Sequence, residues 1–321
     1  MVGRRKMPEF ELADLTLLAP AALDALLEEE NTAWREELDW DFSATGGLVR
    51  RFAASHMLSG YALLAHGMAA GYCYSVIDNH KGLIGDLYLC RALRDDRAEG
   101  LLLEATVRRL MLSHQVTRIE SQLMLLENAS SRQLPAPEFA CIYERCFMMA
   151  ELGAIHLKPL RLRADAHIGQ WSQWRQPEVA AMIAAAYRNH IDSQINDQYR
   201  TAAGARRFLM NIVDYPGCGA FFAPASFLAF HTRTSAVCGA CLASLVAAHT
   251  GHITQVCVEP AMQGTGLGYE LMRRSLDALA AHGCSRAGLT VTCANRAALA
   301  LYERMGFAVR RRFAAYVWDG F

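Results

Sequence analysis

The sequence predicts two tandem domains of mixed α/β class, and three observations carry that expectation. The chain has 321 residues, a length that suits two domains of ordinary size better than one. Strand-like and helix-like runs alternate along it. Their order in the second half is repeated more faintly in the first, at a spacing of roughly 160 residues, far too long for a solenoid repeat. The boundary is expected where composition shifts, in "RLRADAHIGQWSQWRQP", which gives domains of 1–165 and 166–321.

In the first half, "AALDALLEEENTAWREEL" reads as a helix. "YALLAHGMAAGYCYSVID" gives two strands joined at Gly67, and "GLIGDLYLC" a third. "EGLLLEATVRRLMLSHQ" has the apolar spacing of an amphipathic helix, followed by the strand "RIESQLMLL". "FACIYERCFMMAEL" closely parallels the later "ALALYERMGFAV". In the second half, Gln176 to Ile191 is helical, with Pro177 in the first turn. "NDQYRTAAGARRFLMNIVD" is a second helix. "ASFLAFHT" and "AVCGACLASLVAAHT" are strands, the latter with a bulge near Gly239. "GHITQVCVEP" is a strand stopped by Pro260. "LGYELMRRSLDALAAHGC" is a helix closed by Gly283, "RAGLTVTCA" a strand, and "NRAALALYERMGF" a short helix capped by Asn295 and stopped by Gly306. "AVRRRFAAYVW" is the last strand.

Composition narrows the function classes. Hydrophobic residues make up 53%, charged residues 20%, and the formal net charge is zero. That is globular composition with no global attraction to nucleic acid or an anionic membrane. "MVGRRKMPEFELADL" is basic but meets Glu9 and Glu11 before any apolar core, unlike a secretory signal. No run approaches the roughly 20 apolar residues of a membrane helix, so the cytosol is the expected compartment. Ten cysteines are scattered, mostly inside apolar runs. Cys238 and Cys241 have a CxxC spacing, but no second pair supplies the other ligands that zinc needs. Buried thiols and no metal are expected.

The stretch with the most chemical content is Gln263-Gly264-Thr265-Gly266-Leu267-Gly268, between a strand and a helix. A helix start leaves about four N–H groups without partners and carries roughly half a positive charge. Glycines there let a pyrophosphate reach the backbone. A Rossmann loop wants GxGxxG directly after its strand, and a Walker loop wants GK[ST]; neither is present.

This stretch resembles the GNAT family, the acyl-CoA-dependent N-acetyltransferases, whose signature Q/R-x-x-G-x-G/A it matches in full. The family's closing pattern N-x-x-A-x-x-L-Y-x-x-x-G-F is matched by Asn295, Ala298, Leu301, Tyr302, Gly306 and Phe307. The resemblance is specific over Gly251 to Trp318 and rests on element order alone from Arg175 to Thr250. It implies, for each copy, a mostly antiparallel mixed sheet flanked by helices, a tandem layout that also occurs within the family. In the first copy, "RALRDDRAEG" puts Asp95, Asp96 and Glu99 where the glycines should be, and Cys146 follows Tyr143 in place of a glycine. That copy is expected to be degenerate, packed for structure or to shape the acceptor site.

The resemblance also implies the chemistry. Acetyl-CoA is the expected co-substrate, with its pantetheine arm pairing against Val256, Cys257 and Val258 and its pyrophosphate held by Gln263 to Gly268. A backbone N–H near Val258 is the expected oxyanion donor. Tyr302 stands where many members place the general acid for the sulfur, or else packs as an aromatic. Asn295 caps its helix or bonds the cofactor. His252 occupies a position used by a base or water relay in several members, and alternation along the strand would place it on one face with Thr254, Val256 and Val258; the alternative is a surface histidine. Cys257 is not expected to act as a nucleophile. His249 and Glu259 are lesser candidates. The acceptor region is expected in Arg188 to Arg200, where Asp192 and Asp197 could attract a cationic amine. Arg310 to Arg312 either attract an anionic acceptor or point outward from a strand edge.

The expected activity is acetyl transfer to an amine of a small molecule by direct attack in a ternary complex. The alternatives are a non-catalytic acyl-CoA-binding regulatory module and a protein N-acetyltransferase. No nucleic-acid or membrane partner is expected, and the chain is expected as a monomer with a pseudo-dimer of domains, or as a homodimer.

Overall fold

The computed structural model describes residues 9–127, 129–163, 165–215 and 217–321; the basic start of the chain, read above as no signal, falls outside them up to residue 8. In chain order the elements are β1 (Phe10–Asp14), α1 (Asp24–Leu38), α2 (Ser43–Ala54), β2 (Gly60–Ala65), β3 (Met68–Asp78), β4 (Lys81–Leu89), α3 (Asp96–Met111), β5 (Arg118–Leu123) and β6 (Ala140–Glu151). There follow β7 (Ala166–Gln170), α4 (Gln176–Ala186), α5 (Asp192–Ile195), α6 (Ala202–Asp214), β8 (Ala220–Phe221), β9 (Phe227–His231), β10 (Val237–Ala247) and β11 (Thr250–Val258). The chain closes with α7 (Leu267–His282), β12 (Arg286–Thr292), α8 (Arg296–Arg304) and β13 (Ala308–Asp319).

Two compact units form. One holds the chain up to Glu37, Asp41–Glu144 and Phe313–Phe321; the other holds Leu38–Trp40 and Arg145–Arg312. This division differs from a single break after residue 165. The chain leaves the first unit inside β6 and returns to it inside β13. The sheet of the first unit runs β1-β2-β3-β4-β5-β13, so the chain's last strand completes it. That of the second runs β6-β12-β11-β10-β9-β7, with β8 pairing β10. In both sheets one central pair is parallel, β4 with β5 and β11 with β12, and the remaining pairs on the path within each unit are antiparallel. The internal duplication read from the sequence is therefore a duplication of topology.

One parallel drawn from the sequence does not hold in the structure. "IYERCFMM" lies within β6, with Cys146 opposite Val291, whereas "LYERMGF" is the end of α8 and the turn after it. The shared Tyr-Glu-Arg fits either a strand or a helix, and the segments part where Gly306 ends α8 while Cys146 and Phe147 continue β6. Between β5 and β6 the described residues form only short 3-10 turns, Ala129–Ser131 and Pro137–Phe139.

In the first unit the helix start at α3 is not an anion cradle. The Arg132 guanidinium donates to the Asp96 carbonyl oxygen at 2.9 Å and its carboxylate at 3.1 Å, and also to Glu99. Acidic side chains and a buried arginine thus close this end of the helix. Nearby on β4, Asp86 is buried against Glu30 of α1, and Tyr72 donates to Glu30 Oε2 at 2.6 Å. Burial pushes both carboxyls up, Glu30 well above its usual range and Asp86 to about 6. The charge of Asp86 further opposes ionisation of Glu30. The folded state binds protons that the unfolded chain has released, so the contribution of this pair to stability is fully present below pH ~4 and is lost as pH rises through about 6. Asp86→Asn is expected to raise Tm by a few degrees at pH 7.5 and to flatten the pH dependence of Tm between 4 and 7. An unchanged Tm–pH profile in calorimetry would contradict this.

The second unit carries helices on both faces. On one face α7 buries Leu267, Leu271, Met272, Leu276 and Leu279, which recur with helical spacing, each burial stabilising by about 1.5–3 kcal/mol. These join Tyr302, Met305 and Phe307 in one core. On the other face α4 and α6 pack Val179, Ile183, Ala205 and Leu209 onto Leu228, Ala240, Leu242 and Cys257. Cys238 and Cys241 are fully buried, as expected of small hydrophobes. Among the described residues no cluster of three or more His, Cys, Asp or Glu could hold a metal, and no helix is long and apolar enough to cross a membrane.

Candidate active site

The site is built on an opening in the second sheet. Strand β11 pairs with β12 only from Thr250 to Ile253, opposite Arg286 to Leu289. It pairs with β10 along its whole length, to Gly239 opposite Val258. From Thr254 to Val258, β11 therefore has a strand on one side and none on the other. A register shift between Leu242 and Ala243 leaves Thr254 without an opposite residue; its hydroxyl donates to the Leu242 carbonyl at 3.1 Å. This is a β-bulge, and such an extra residue bends its strand and breaks the alternation of faces. The bend starts where the strands part.

The glycine stretch follows at the open end. Gly264 and Gly266 have φ of +74° and +90°, in the left-handed region that favours glycine, and Gly266 is the residue from which α7 starts. A Cβ on Gly264 would meet nothing within 4 Å, so the backbone there faces open space. A Cβ on Gly268 would lie 3.6 Å from Val258 Cγ2, so this third glycine brings the helix close to its strand. Gln263 Nε2 donates to the Val258 carbonyl at 3.4 Å, and Thr265 Oγ1 to that of Met262 at 2.6 Å, which ties the loop to the strand end. Leu267 is buried at the first turn of α7 and anchors it.

A strap crosses the start of α7. Arg163 N donates to the Thr265 carbonyl at 3.2 Å, Leu160 N to Glu270 Oε2 at 3.3 Å, and the Tyr269 hydroxyl to the Lys158 carbonyl at 2.9 Å. A Cβ on Gly266 would collide with Leu160 Cδ2. Leu160 is exposed and meets that position only with the end of its side chain, so the left-handed backbone is what calls for glycine at 266.

Opposite the loop, polar groups converge from four elements. Gln255, buried on β11 directly after the bulge, donates from Nε2 to the Tyr187 hydroxyl at 2.8 Å and accepts from the Tyr199 hydroxyl at 3.3 Å. Those two rings stack at 4.3 Å. Thr292, at the end of β12, donates to Asp192 Oδ1 at 2.5 Å. Asp192 Oδ2 lies 3.9 Å from His190 Nδ1, and Asn295 Nδ2 lies 3.2 Å from His190 Nε2. Asn295 Oδ1 accepts from Ala298 N at 3.2 Å, so one side chain both caps α8 and reaches His190. The connection between α4 and α6, where the sequence placed the acceptor region, supplies His190, Asp192 and Tyr199.

Tyr302 belongs to this neighbourhood. It is buried in α8, packed edge-on to Phe307 at 6.2 Å. Burial, then the nearby Cys241, Asp192 and Cys257, push its hydroxyl well above the ordinary phenol range, so it holds its proton at neutral pH. Cys257 is buried on the α4 face, with its thiol pushed up to about 12 by burial, which suits packing and not nucleophilic attack. Val256 and Val258 face the α7 side. Glu259 pairs with His231 Nε2 at 2.9 Å, and His249 Nδ1 lies against the Gly283 carbonyl.

His252 is placed elsewhere. It lies in the closed part of the sheet, paired to both Ser244 and Gly288. Its ring contacts Trp40 at 5.0 Å and stacks on Phe147 at 6.1 Å. Burial drives its pKa down to about 3, and Nδ1 has no hydrogen-bond partner. The alternation argument fails because the bulge at Thr254 reverses the faces: Ile253, and not His252, shares a face with Val256 and Val258. A neutral, enclosed imidazole there packs the sheet, and the base role expected of it has no support in this geometry. His252→Phe is expected to keep Tm within a few degrees and turnover within about twofold, where loss of a general base costs roughly 10²–10⁴-fold.

The sequence reading missed Gln255, Tyr187 and Thr292. A lone glutamine in the apolar run "HITQVCV" was the available signal, since a buried amide needs partners.

A strand opened by a bulge, with a glycine-rich helix start at its mouth, defines the class. Residues 184–307 match the model of the acetyltransferase (GNAT) family. Among curated proteins, the chain is similar to the N-alpha-acetyltransferase MAK3 of Arabidopsis thaliana, 32% identical over 101 residues, covering 29% of this chain and 50% of that one. It is also similar to mycothiol acetyltransferase of Mycobacteroides abscessus, 47% identical over 66 residues, covering 21% of this chain and 22% of that one. The match thus spans half or less of each of these relatives. Among solved structures, a GCN5-related N-acetyltransferase from Sphaerobacter thermophilus aligns with a TM-score of 0.68 at 16% identity over 98% of both chains. A tandem GNAT protein from the clavulanic acid biosynthesis pathway aligns with a TM-score of 0.65 at 16% identity over 98% of this chain and 99% of that one. These likenesses concern the fold.

Proposed function

We propose that the second unit transfers the acetyl group of acetyl-CoA to an amine of a small molecule, by direct attack with both substrates bound. The observation that carries this reading is the unpaired edge of β11 from Thr254 to Val258, followed after one 3-10 turn by the bare backbone of Gly264. An extended amide-bearing arm pairs with such an edge as an added strand would. A diphosphate fits the helix start, where backbone N–H groups converge and no Cβ intrudes. Acetyl-CoA has both features, and its thioester would then lie beside the bulge.

The roles follow from position. Asp192 holds a cationic amine and takes its proton, and His190, whose Nδ1 accepts from Asp192 N at 3.1 Å, orders the turn that carries the carboxylate. Thr292 fixes the Asp192 carboxylate. An N–H on the free edge of β11 stabilises the developing oxyanion, and Tyr302 delivers its proton to the departing thiolate sulfur. Tyr187, Tyr199 and Gln255 form the wall on which the acceptor rests.

The test measures free CoA released from acetyl-CoA across a panel of small amines, with a short peptide as a further acceptor. The MAK3 likeness makes a peptide N-terminus the second acceptor class. Turnover with small amines supports the first reading, and turnover with the peptide alone supports the second. Binding of CoA without turnover on either would leave a regulatory module, and no binding at all would refute the site.

A further inference from the structure

We propose that Cys146 and Cys293 are a peroxide-reactive dithiol, which closes reversibly to a disulfide beside the polar cluster of the second unit. Their sulfurs lie 2.9 Å apart, in contact but not covalently bonded. A disulfide needs about 2.05 Å, an approach of less than ~1 Å. The pair crosses strands: Cys146 stands opposite Val291 in the register of β6 and β12, and Cys293 follows the end of β12. One guanidinium serves both sulfurs, with Arg312 Nη1 3.5 Å from Cys293 Sγ and 3.7 Å from Cys146 Sγ. A cation against a sulfur favours the thiolate, the form that attacks peroxides.

The chemistry balances with hydrogen peroxide as oxidant. Cys293, 8% exposed against 1% for Cys146, is the first to react. Its thiolate attacks one peroxide oxygen; the O–O bond breaks, a sulfenic acid forms, and the leaving hydroxide takes up the proton that the thiol had released, giving water. Cys146 sulfur then attacks the Cys293 sulfur. The S–O bond breaks, the S–S bond forms, and the hydroxyl leaves with the Cys146 proton as a second water. Two thiols and one peroxide give one disulfide and two waters.

Position gives the bond its consequence. Cys293 adjoins Thr292, which fixes Asp192, and is two residues from Asn295, which reaches His190. Drawing the two sulfurs together displaces the turn on which both contacts depend.

The test treats the reduced, full-length protein with equimolar hydrogen peroxide, blocks remaining thiols with N-ethylmaleimide, and maps peptides by mass spectrometry. The expected result is a linked pair of peptides containing Cys146 and Cys293, lighter by two hydrogens than the two thiols and separated by dithiothreitol. A Cys141→Ser/Cys218→Ser variant, which removes two exposed thiols, is expected to form the link at the same rate. Arg312→Gln is expected to slow it several-fold. Full alkylation of both cysteines after peroxide, irreversible oxidation without a link, or an unchanged rate in folded Arg312→Gln would overturn the proposal.

Discussion

Asp192→Asn is expected to lower kcat/KM for the amine by roughly 10²–10⁴-fold, the range lost when a proton acceptor is removed. An alkyl amine has a pKa near that of lysine, about 10.4, and is almost wholly cationic at neutral pH; it must lose a proton before it can attack. Asparagine keeps the shape of the carboxylate and can still accept from Thr292, which donates to Oδ1 at 2.5 Å. It cannot hold a cation or take a proton. KM for acetyl-CoA should stay within about twofold, because Asp192 is held by Thr292 at the end of β12 while the glycine loop follows β11. Thr292→Val, which frees the carboxylate without removing it, is expected to cost less, about tenfold or under. Rates within twofold of wild type for Asp192→Asn would remove Asp192 from the mechanism.

Gly264→Val is expected to raise the Kd for acetyl-CoA at least tenfold, about 1.4 kcal/mol. The effect has two parts. A φ of +74° suits no β-branched residue, at a cost of about 1–2 kcal/mol. The new Cβ meets no protein atom within 4 Å, so the side chain starts from open space, the space assigned to the diphosphate, and not from the core. Tm should fall by only a few degrees. Gly266 is a less clean test, since a Cβ there meets the Leu160 side chain, which must move aside whatever binds. Calorimetric titration with acetyl-CoA checks the prediction. An unchanged Kd in a folded Gly264→Val protein would mean that the helix start does not hold the diphosphate.

The elements nearest the site were legible because each had a local cause. Asn295 and Gly283 mark helix ends through cap chemistry that needs nothing beyond the chain itself, and both are caps in the structure. The bulge near Gly239 was visible as a break in an apolar run, and the register shifts there. The opening between β11 and β12 was legible only through the family's letter pattern. What failed depended on distant partners. The bulge at Thr254 leaves no mark in "HITQVCV" and yet reverses which side chains share a face, which moved His252 out of the site. The exchange of β6 and β13 between units depends on edges that no local propensity encodes. The partners of Asp192 come from residues about a hundred positions away in Thr292, so the carboxylate could be named and its orientation could not.

The central claim is that the free edge of β11 receives the extended arm of acetyl-CoA. Amide hydrogen exchange with and without acetyl-CoA tests it directly. The account requires slower exchange on binding at residues 254–258, which lack a strand on one side, and at 264–269, which open α7. Residues 250–253, already paired with β12, should change little. Binding that leaves 254–258 unprotected, with the protection confined to β4 or α3 of the first unit, would contradict it.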